Sequence, residues 1–159
     1  PCDEFEGNAR GMDTARNFPT TFCSRKKIHQ QPASENETRA LIRIFQEYGG
    51  RGLLVFCGYG KKVVITAGSE FSTGQRCYRL ARHLKKCTRG KLEQLAIERE
   101  AQNGRRSTGR PEQYYGEMIR QPAFRIELPV NSGNKEEEER EIRDLMLLPL
   151  EYIYSLVQL

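Results

Sequence analysis

The chain has 159 residues, 37% hydrophobic and 30% charged, with a net charge of +5, five cysteines and two histidines. That length suits one domain able to bury a core without disulfides, and the composition excludes a wholly disordered chain. No stretch approaches the ~18 apolar residues of a membrane-spanning helix, so no transmembrane segment is expected.

Residues 1 to 33 show little periodicity and are expected to form an extended N-terminal arm, with an α+β domain over 34–159. Within the arm, "NFPTTF" has strand composition, but Pro19 demotes it to an edge or an extended stretch. "SENETRALIRIFQEYGG" predicts a helix over 35–48. Ser34 is its expected cap, with Glu37 three residues on, Leu41, Ile44, Phe45 and Tyr48 form its inner stripe, and Gly49-Gly50 ends it. "GLLVFCGYGKKVVITAG" predicts two strands, 52–58 and 61–67, paired as a hairpin. Both faces of each are apolar, which suits strands covered on both sides.

Residues 74–87 predict a helix with Cys77, Leu80, Ala81, Leu84 and Cys87 inward and Arg76, Arg79, His83 and Lys86 outward. "GKLEQLAIEREAQ" predicts another helix, "NGRRSTGRP" an exposed loop, and "PEQYYGEMIRQ" a helix opened by proline. "AFRIELPV" alternates, with Phe124, Ile126, Leu128 and Val130 inward and Arg125 and Glu127 outward. "NSGN" is a turn, "KEEEEREIRDLMLL" a helix with its acidic residues early, and "PLEYIYSLVQL" fits either a helix or a strand. The expected fold is α+β, a single-domain sandwich of helices packed on a small, mainly antiparallel sheet.

Charge is unevenly spread. Residues 76 to 110 hold eleven Lys or Arg against three Glu, while 111 to 159 hold five against ten Asp or Glu. The cationic block, with Arg76, Arg79, Arg82, His83, Lys85, Lys86, Arg89, Arg105 and Arg106, is the expected binding surface. Its natural partner is an anionic macromolecule or cell-surface target: a receptor, glycan, anionic lipid or nucleic acid. Arg105–Arg106 also forms a dibasic step suited to a processing protease.

Cys77 and Cys87 lie roughly 15 Å apart on a continuous helix, too far to bond each other. No C-x-x-C or H-x-x-x-H occurs, so no metal site is expected, and without a P-loop, GxGxxG, GxSxG or HExxH no cofactor is expected either. The cysteines are therefore expected to act as staples, Cys77 and Cys87 bonding to Cys57 or to Cys2 and Cys23 of the arm. One is left over, free or available for self-association. An opening "PCDEFEGN" without Met, the cysteines and the "NET" glycosylation sequon at Asn36 point to a secreted chain, with an intracellular one as the alternative.

The hairpin "GLLVFCGYGKKVVITAG" followed by "STGQRCYRLARHLKKC", with Cys77, Leu80, Leu84 and Cys87 at its helical spacing, resembles the small secreted killer toxins of fungi and their viruses. The resemblance covers residues 52–87 and implies a compact disulfide-bonded α/β sandwich. The expected function is accordingly a secreted, basic, effector- or toxin-like binding protein. One alternative is a nucleic-acid-binding protein or metal-independent ribonuclease, with His29 and His83 as acid and base. Another is a structural or assembly subunit.

Overall fold

Two amphipathic helices form where hydrophobic periodicity places them. In a computed structural model, which describes residues 8–20, 31–57, 62–65, 71–87, 96–99, 109–127, 134–145 and 148–158, these are α1 (Asn36–Tyr48) and α2 (Phe71–Cys87). On α2 the stripe Cys77, Leu80, Ala81 and Leu84 is fully buried. Arg76, Arg79, Arg82, His83 and Lys86 are exposed on its outer side, and Lys85 is half-buried. The i, i+3, i+4, i+7 spacing therefore does on α2 what it does on an isolated helical wheel.

On α1 the same reasoning holds for existence and fails for orientation. Glu35, not Ser34, is the N-cap residue and makes no side-chain cap bond. The Ser34 hydroxyl instead donates to Glu35 Oε1 at 2.9 Å and accepts from Asn17 Nδ2 at 3.1 Å. Of the expected inner stripe only Phe45 turns inward; Leu41, Ile44 and Tyr48 are exposed. Phe45 sets this rotation, because its ring sits edge-on to Tyr115 at 5.2 Å and stacks with Phe18 at 6.2 Å.

The strands are β1 (Leu53–Cys57), β2 (Lys62–Ile65), β3 (Ala96–Arg99) and β4 (Ala123–Glu127). They form one sheet in the order β1-β4-β2-β3. Helices packed on a small sheet make the α+β fold that the sequence predicts, but the ladder differs from a mainly antiparallel one. Two of its pairings, β1 with β4 and β2 with β3, are parallel, and only β2 with β4 is antiparallel. β1 and β2 do run in opposite directions, yet β4 lies between them. Four residues, 58–61, connect them, and four residues reach ~13 Å, enough to cross two strand spacings of about 4.8 Å each. Chain length thus permits either a hairpin or an insertion, and the burial of β4 decides for insertion. A further correction concerns residues 96–99, expected inside a helix: they pair with β2 as a strand, tertiary pairing outweighing a modest local helix preference.

Phe124 and Ile126 on β4, Cys77, Leu80, Ala81 and Leu84 on α2, Leu145 on α4 (Lys135–Leu145) and Leu148 and Tyr152 on α5 (Leu148–Gln158) make the main core. Each of the large aliphatic or aromatic side chains contributes about 1.5–3 kcal/mol by leaving water. The ambiguous C-terminal stretch is thus a helix, pinned by the Tyr152 hydroxyl donating to the Pro122 carbonyl at 2.9 Å. The opposite sheet face carries α3 (Pro111–Tyr114), prolonged by a π-turn over Tyr115–Ile119.

The described part of the N-terminal segment, 8–20, is tied down by packing and polar bonds. It contains a 3₁₀ turn, Thr14–Arg16, and Phe18 is buried against Phe45 and Tyr114. Asn17 Oδ1 accepts the Glu35 N–H, and Asn8 Nδ2 donates to Glu35 Oε2 at 2.7 Å. Gly109 closes the same contact. Its φ of +68° is left-handed, its carbonyl accepts from the Phe18 N–H, and a Cβ there would lie 2.7 Å from the Arg16 carbonyl oxygen.

Candidate functional site at the ends of β1 and β4

β1 and β4 are parallel and in register, Cys57 opposite Glu127, so both strands end at the same edge of the sheet. In sheets with parallel strands, that carboxyl-terminal edge is where ligands are usually held. Alternation sends Phe124 and Ile126 into the main core, and Arg125 and Glu127 to the face that carries α3. Arg125 was expected to face outward. It is instead 8% exposed, because α3 covers it and supplies a countercharge.

Four charged side chains interlock there. Arg125 Nη2 lies 3.1 Å from Glu127 Oε1, and Arg125 Nη1 lies 3.5 Å from Glu112 Oε1. Arg110 Nη1 approaches the same Glu112 oxygen at 4.0 Å. Glu112 is 1% exposed, so its charge is tolerable only beside these two guanidinium groups. The guanidinium of Arg125 suits the bridge, since its two terminal nitrogens lie beside different carboxylates. Local sequence places the partners: Pro111 opens α3, and Gln113 Oε1 accepts the Arg110 N–H at 3.3 Å. The rims of the cluster are more open. The side chains of Arg110 and Glu127 are 24% and 18% exposed.

Cys57 completes the edge. Its thiol donates to the Ile126 carbonyl at 3.7 Å. Burial, then the charges of Glu127 and Glu112, push it up to about 11, against a smaller opposing effect of Arg110. At neutral pH Cys57 is therefore a thiol, not a nucleophilic thiolate. Among the described residues no group of three His, Cys, Asp or Glu is placed to hold a metal ion.

The sequence-based candidates fall elsewhere. Arg76, Arg79, Arg82, His83, Lys85 and Lys86 lie on α2, against the other face of the sheet, with Arg82 over the Tyr78 ring at 5.8 Å. His29, Arg89, Arg105, Arg106, Cys2 and Cys23 lie outside the described residues, as do Leu128, Val130 and the "NSGN" turn, and the backbone of Cys87 ends α2. Asn36 is exposed at the start of α1, where its Oδ1 accepts from Arg39. Cys57 and Cys77 stand as free thiols among the described residues, while their expected partners Cys2 and Cys23 and the side chain of Cys87 lie outside them. Cys77 fills the apolar core as a small hydrophobe, while Cys57 serves the strand-end edge.

Sequence reasoning missed Arg110, Glu112, Arg125 and Glu127. The available signal was the pair of charges alternating with core residues in "AFRIE", but its meaning depends on what covers the other face.

No protein-family model and no curated protein matches this chain. Among solved structures it is similar to "Structure of bovine thrombin-activatable fibrinolysis inhibitor in complex with tick carboxypeptidase inhibitor". The TM-score is 0.75 at 13% identity, over 93% of this chain and 57% of that one. The likeness is one of fold, and this chain spans little more than half the length of that neighbour.

Proposed function

We propose that the edge where β1 and β4 end binds the carboxyl-terminal end of a peptide or protein. The observation that carries this reading is the interlocked Arg110–Glu112–Arg125–Glu127 cluster at the aligned ends of two parallel strands. Arg110, at the open rim, supplies a cation for a terminal carboxylate, the pairing for which guanidinium groups are best suited. Glu127 faces the same rim and accepts from a peptide N–H or a water, the position a general base needs. Arg125 holds that carboxylate in place from behind. Support also comes from the fold neighbour, which was solved bound to a carboxypeptidase inhibitor.

Fluorescence anisotropy with labelled peptides tests this, comparing free and amidated carboxyl termini. Free-acid peptides should bind at least roughly tenfold more tightly, a difference of ~1.4 kcal/mol. Arg110→Gln should erase the difference. Equal binding of both peptides, or indifference to Arg110→Gln, refutes the reading. Mass spectrometry of the recovered peptide shows whether the terminal residue is also released, and Glu127→Gln should abolish any such release.

A second reading is favoured by the exposed row Arg76, Arg79, Arg82 and Lys86 on α2. It takes the chain as a secreted, basic, effector-like protein that binds polyanions through this face. Binding to a nucleic acid should then weaken with salt, by a slope near 0.9 per duplex phosphate neutralised, and Arg79→Gln/Arg82→Gln/Lys86→Gln should flatten it. A salt-independent interaction leaves this face as solvated surface.

A further inference from the structure

We infer that Asn17 is the positioning residue for Arg110, because it fixes the segment 14–18 on which the backbone entering Arg110 is seated. This rests on the reading above, in which Arg110 meets a terminal carboxylate, and adds what holds that cation in place. Arg110 stands at a junction. On its carboxyl side, its N–H donates to Gln113 Oε1 at 3.3 Å and its carbonyl accepts from the Tyr114 N–H at 3.0 Å, so α3 fixes it there. On its amino side, the Gly109 carbonyl accepts from the Phe18 N–H at 2.8 Å. A Cβ at Gly109 would lie 2.7 Å from the Arg16 carbonyl oxygen and 2.9 Å from that of Phe18, so the two stretches of backbone touch.

Asn17 keeps segment 14–18 where it is. The residue is buried and bonded through each of its polar groups. Its main-chain N–H donates to the Thr14 carbonyl at 3.4 Å, and its carbonyl accepts from the Ala33 N–H at 2.7 Å. Its Oδ1 accepts from the Glu35 N–H at 3.2 Å, while Nδ2 donates to the Gln31 carbonyl and the Ser34 hydroxyl, each at 3.1 Å. A short carboxamide offers two donors and an acceptor at once. Asn17→Asp keeps the shape but loses both donors, and Asn17→Ala leaves the buried Glu35 N–H without its acceptor.

The next residue passes this order on. Phe18 is buried, bonds Gly109 through its N–H and sets its ring 5.8 Å from that of Tyr114. One residue thus touches the chain both before and after Arg110. Glycine restrains its own φ and ψ least of all residues, so without these contacts the peptide entering Arg110 has many directions open to it. A fully satisfied buried network removes that freedom. The Arg110 side chain, 24% exposed at the rim, takes its direction from the backbone so fixed.

The peptide-binding assay and amide hydrogen exchange of the unliganded protein together test the inference. Asn17→Ala should bring the roughly tenfold preference for free-acid over amidated peptides below about threefold, by weakening free-acid binding alone. Asn17→Asp should act likewise, and serves where Asn17→Ala does not fold. Leu80→Ala, which loosens the core on the other face of the sheet, should leave the preference intact, so lost stability by itself does not mimic the effect. Adding Asn17→Ala to Arg110→Gln should cost no further affinity, since both act through one cation. In the exchange experiment the Asn17 variants should speed the Phe18 and Arg110 amides at least roughly tenfold. The Leu53 amide, bonded to the Pro122 carbonyl, should not change. If the unaltered protein shows no preference for free acids, the carboxylate reading falls and exchange alone decides this inference. A preference that both Asn17 variants retain, or unchanged exchange at Phe18 and Arg110, overturns it.

Discussion

Replacing Arg125 by Met keeps the volume and the β4 backbone but removes the charge that Glu112 and Glu127 share. Arg125 is 8% exposed and Glu112 1%, so water screens neither one well. After the replacement Glu112 retains Arg110 at 4.0 Å, and Glu127 loses a contact at 3.1 Å. Removing one partner of a buried pair typically costs 3–5 kcal/mol, chiefly from the charge left behind. Arg125→Met should therefore destabilise by about 3–5 kcal/mol, a large part of the 5–15 kcal/mol typical of a whole domain. Arg125→Lys retains the charge but not the fork, and should cost about 1–3 kcal/mol. Adding Glu112→Gln to Arg125→Met should recover part of the loss, with a coupling of about 0.5–3 kcal/mol. Urea unfolding at pH 7, followed by circular dichroism because the chain has no Trp, measures the unaltered protein, Arg125→Met, Arg125→Lys, Glu112→Gln and the double variant. A loss below about 1 kcal/mol for Arg125→Met, or strict additivity with Glu112→Gln, would show that the cluster is solvated and not a buried network.

Leu80→Ala, at a fully buried position between α2 and the sheet, should cost about 2–5 kcal/mol in the same assay, whereas Arg79→Ala should cost little. Cys57, held at about 11 against 9.0 for an unperturbed thiol, should be alkylated at pH 8 roughly a hundredfold more slowly than a free cysteine, and denaturant should remove the difference. Its folded value lies above the 9.0 of the unperturbed thiol, so its contribution to stability is complete below 9 and lost as pH rises through about 11; Cys57→Ser should flatten that limb. Glu35 is held below the usual carboxylate value, first by the Asn8 hydrogen bond, then by Ser34, with Arg10 and Arg39 adding to it. Its contribution is thus present above pH 4.5 and lost as pH falls through the depressed value, and Glu35→Gln should reduce the acid sensitivity of unfolding.

Periodicity in the sequence determined α1, α2 and α4, the inward stripe of α2, the strands around Leu53–Cys57 and Ala123–Glu127, and the cationic outer face of α2. Each of these depends on residues within one or two turns of each other, so a short window contains the information. Tertiary structure alone decided three other things. It set the rotation of α1, because Phe45 is gripped by Phe18 and Tyr115, which are distant in the chain. It made residues 96–99 a strand, because β2 offered them a partner. It built the strand-end cluster, by placing β4 between β1 and β2 and laying α3 over Arg125. An Arg alternating with core residues looks solvated until something covers the far face of its strand. That cover comes from Glu112, thirteen residues earlier in the chain, and a local pattern carries no record of which segment will supply it.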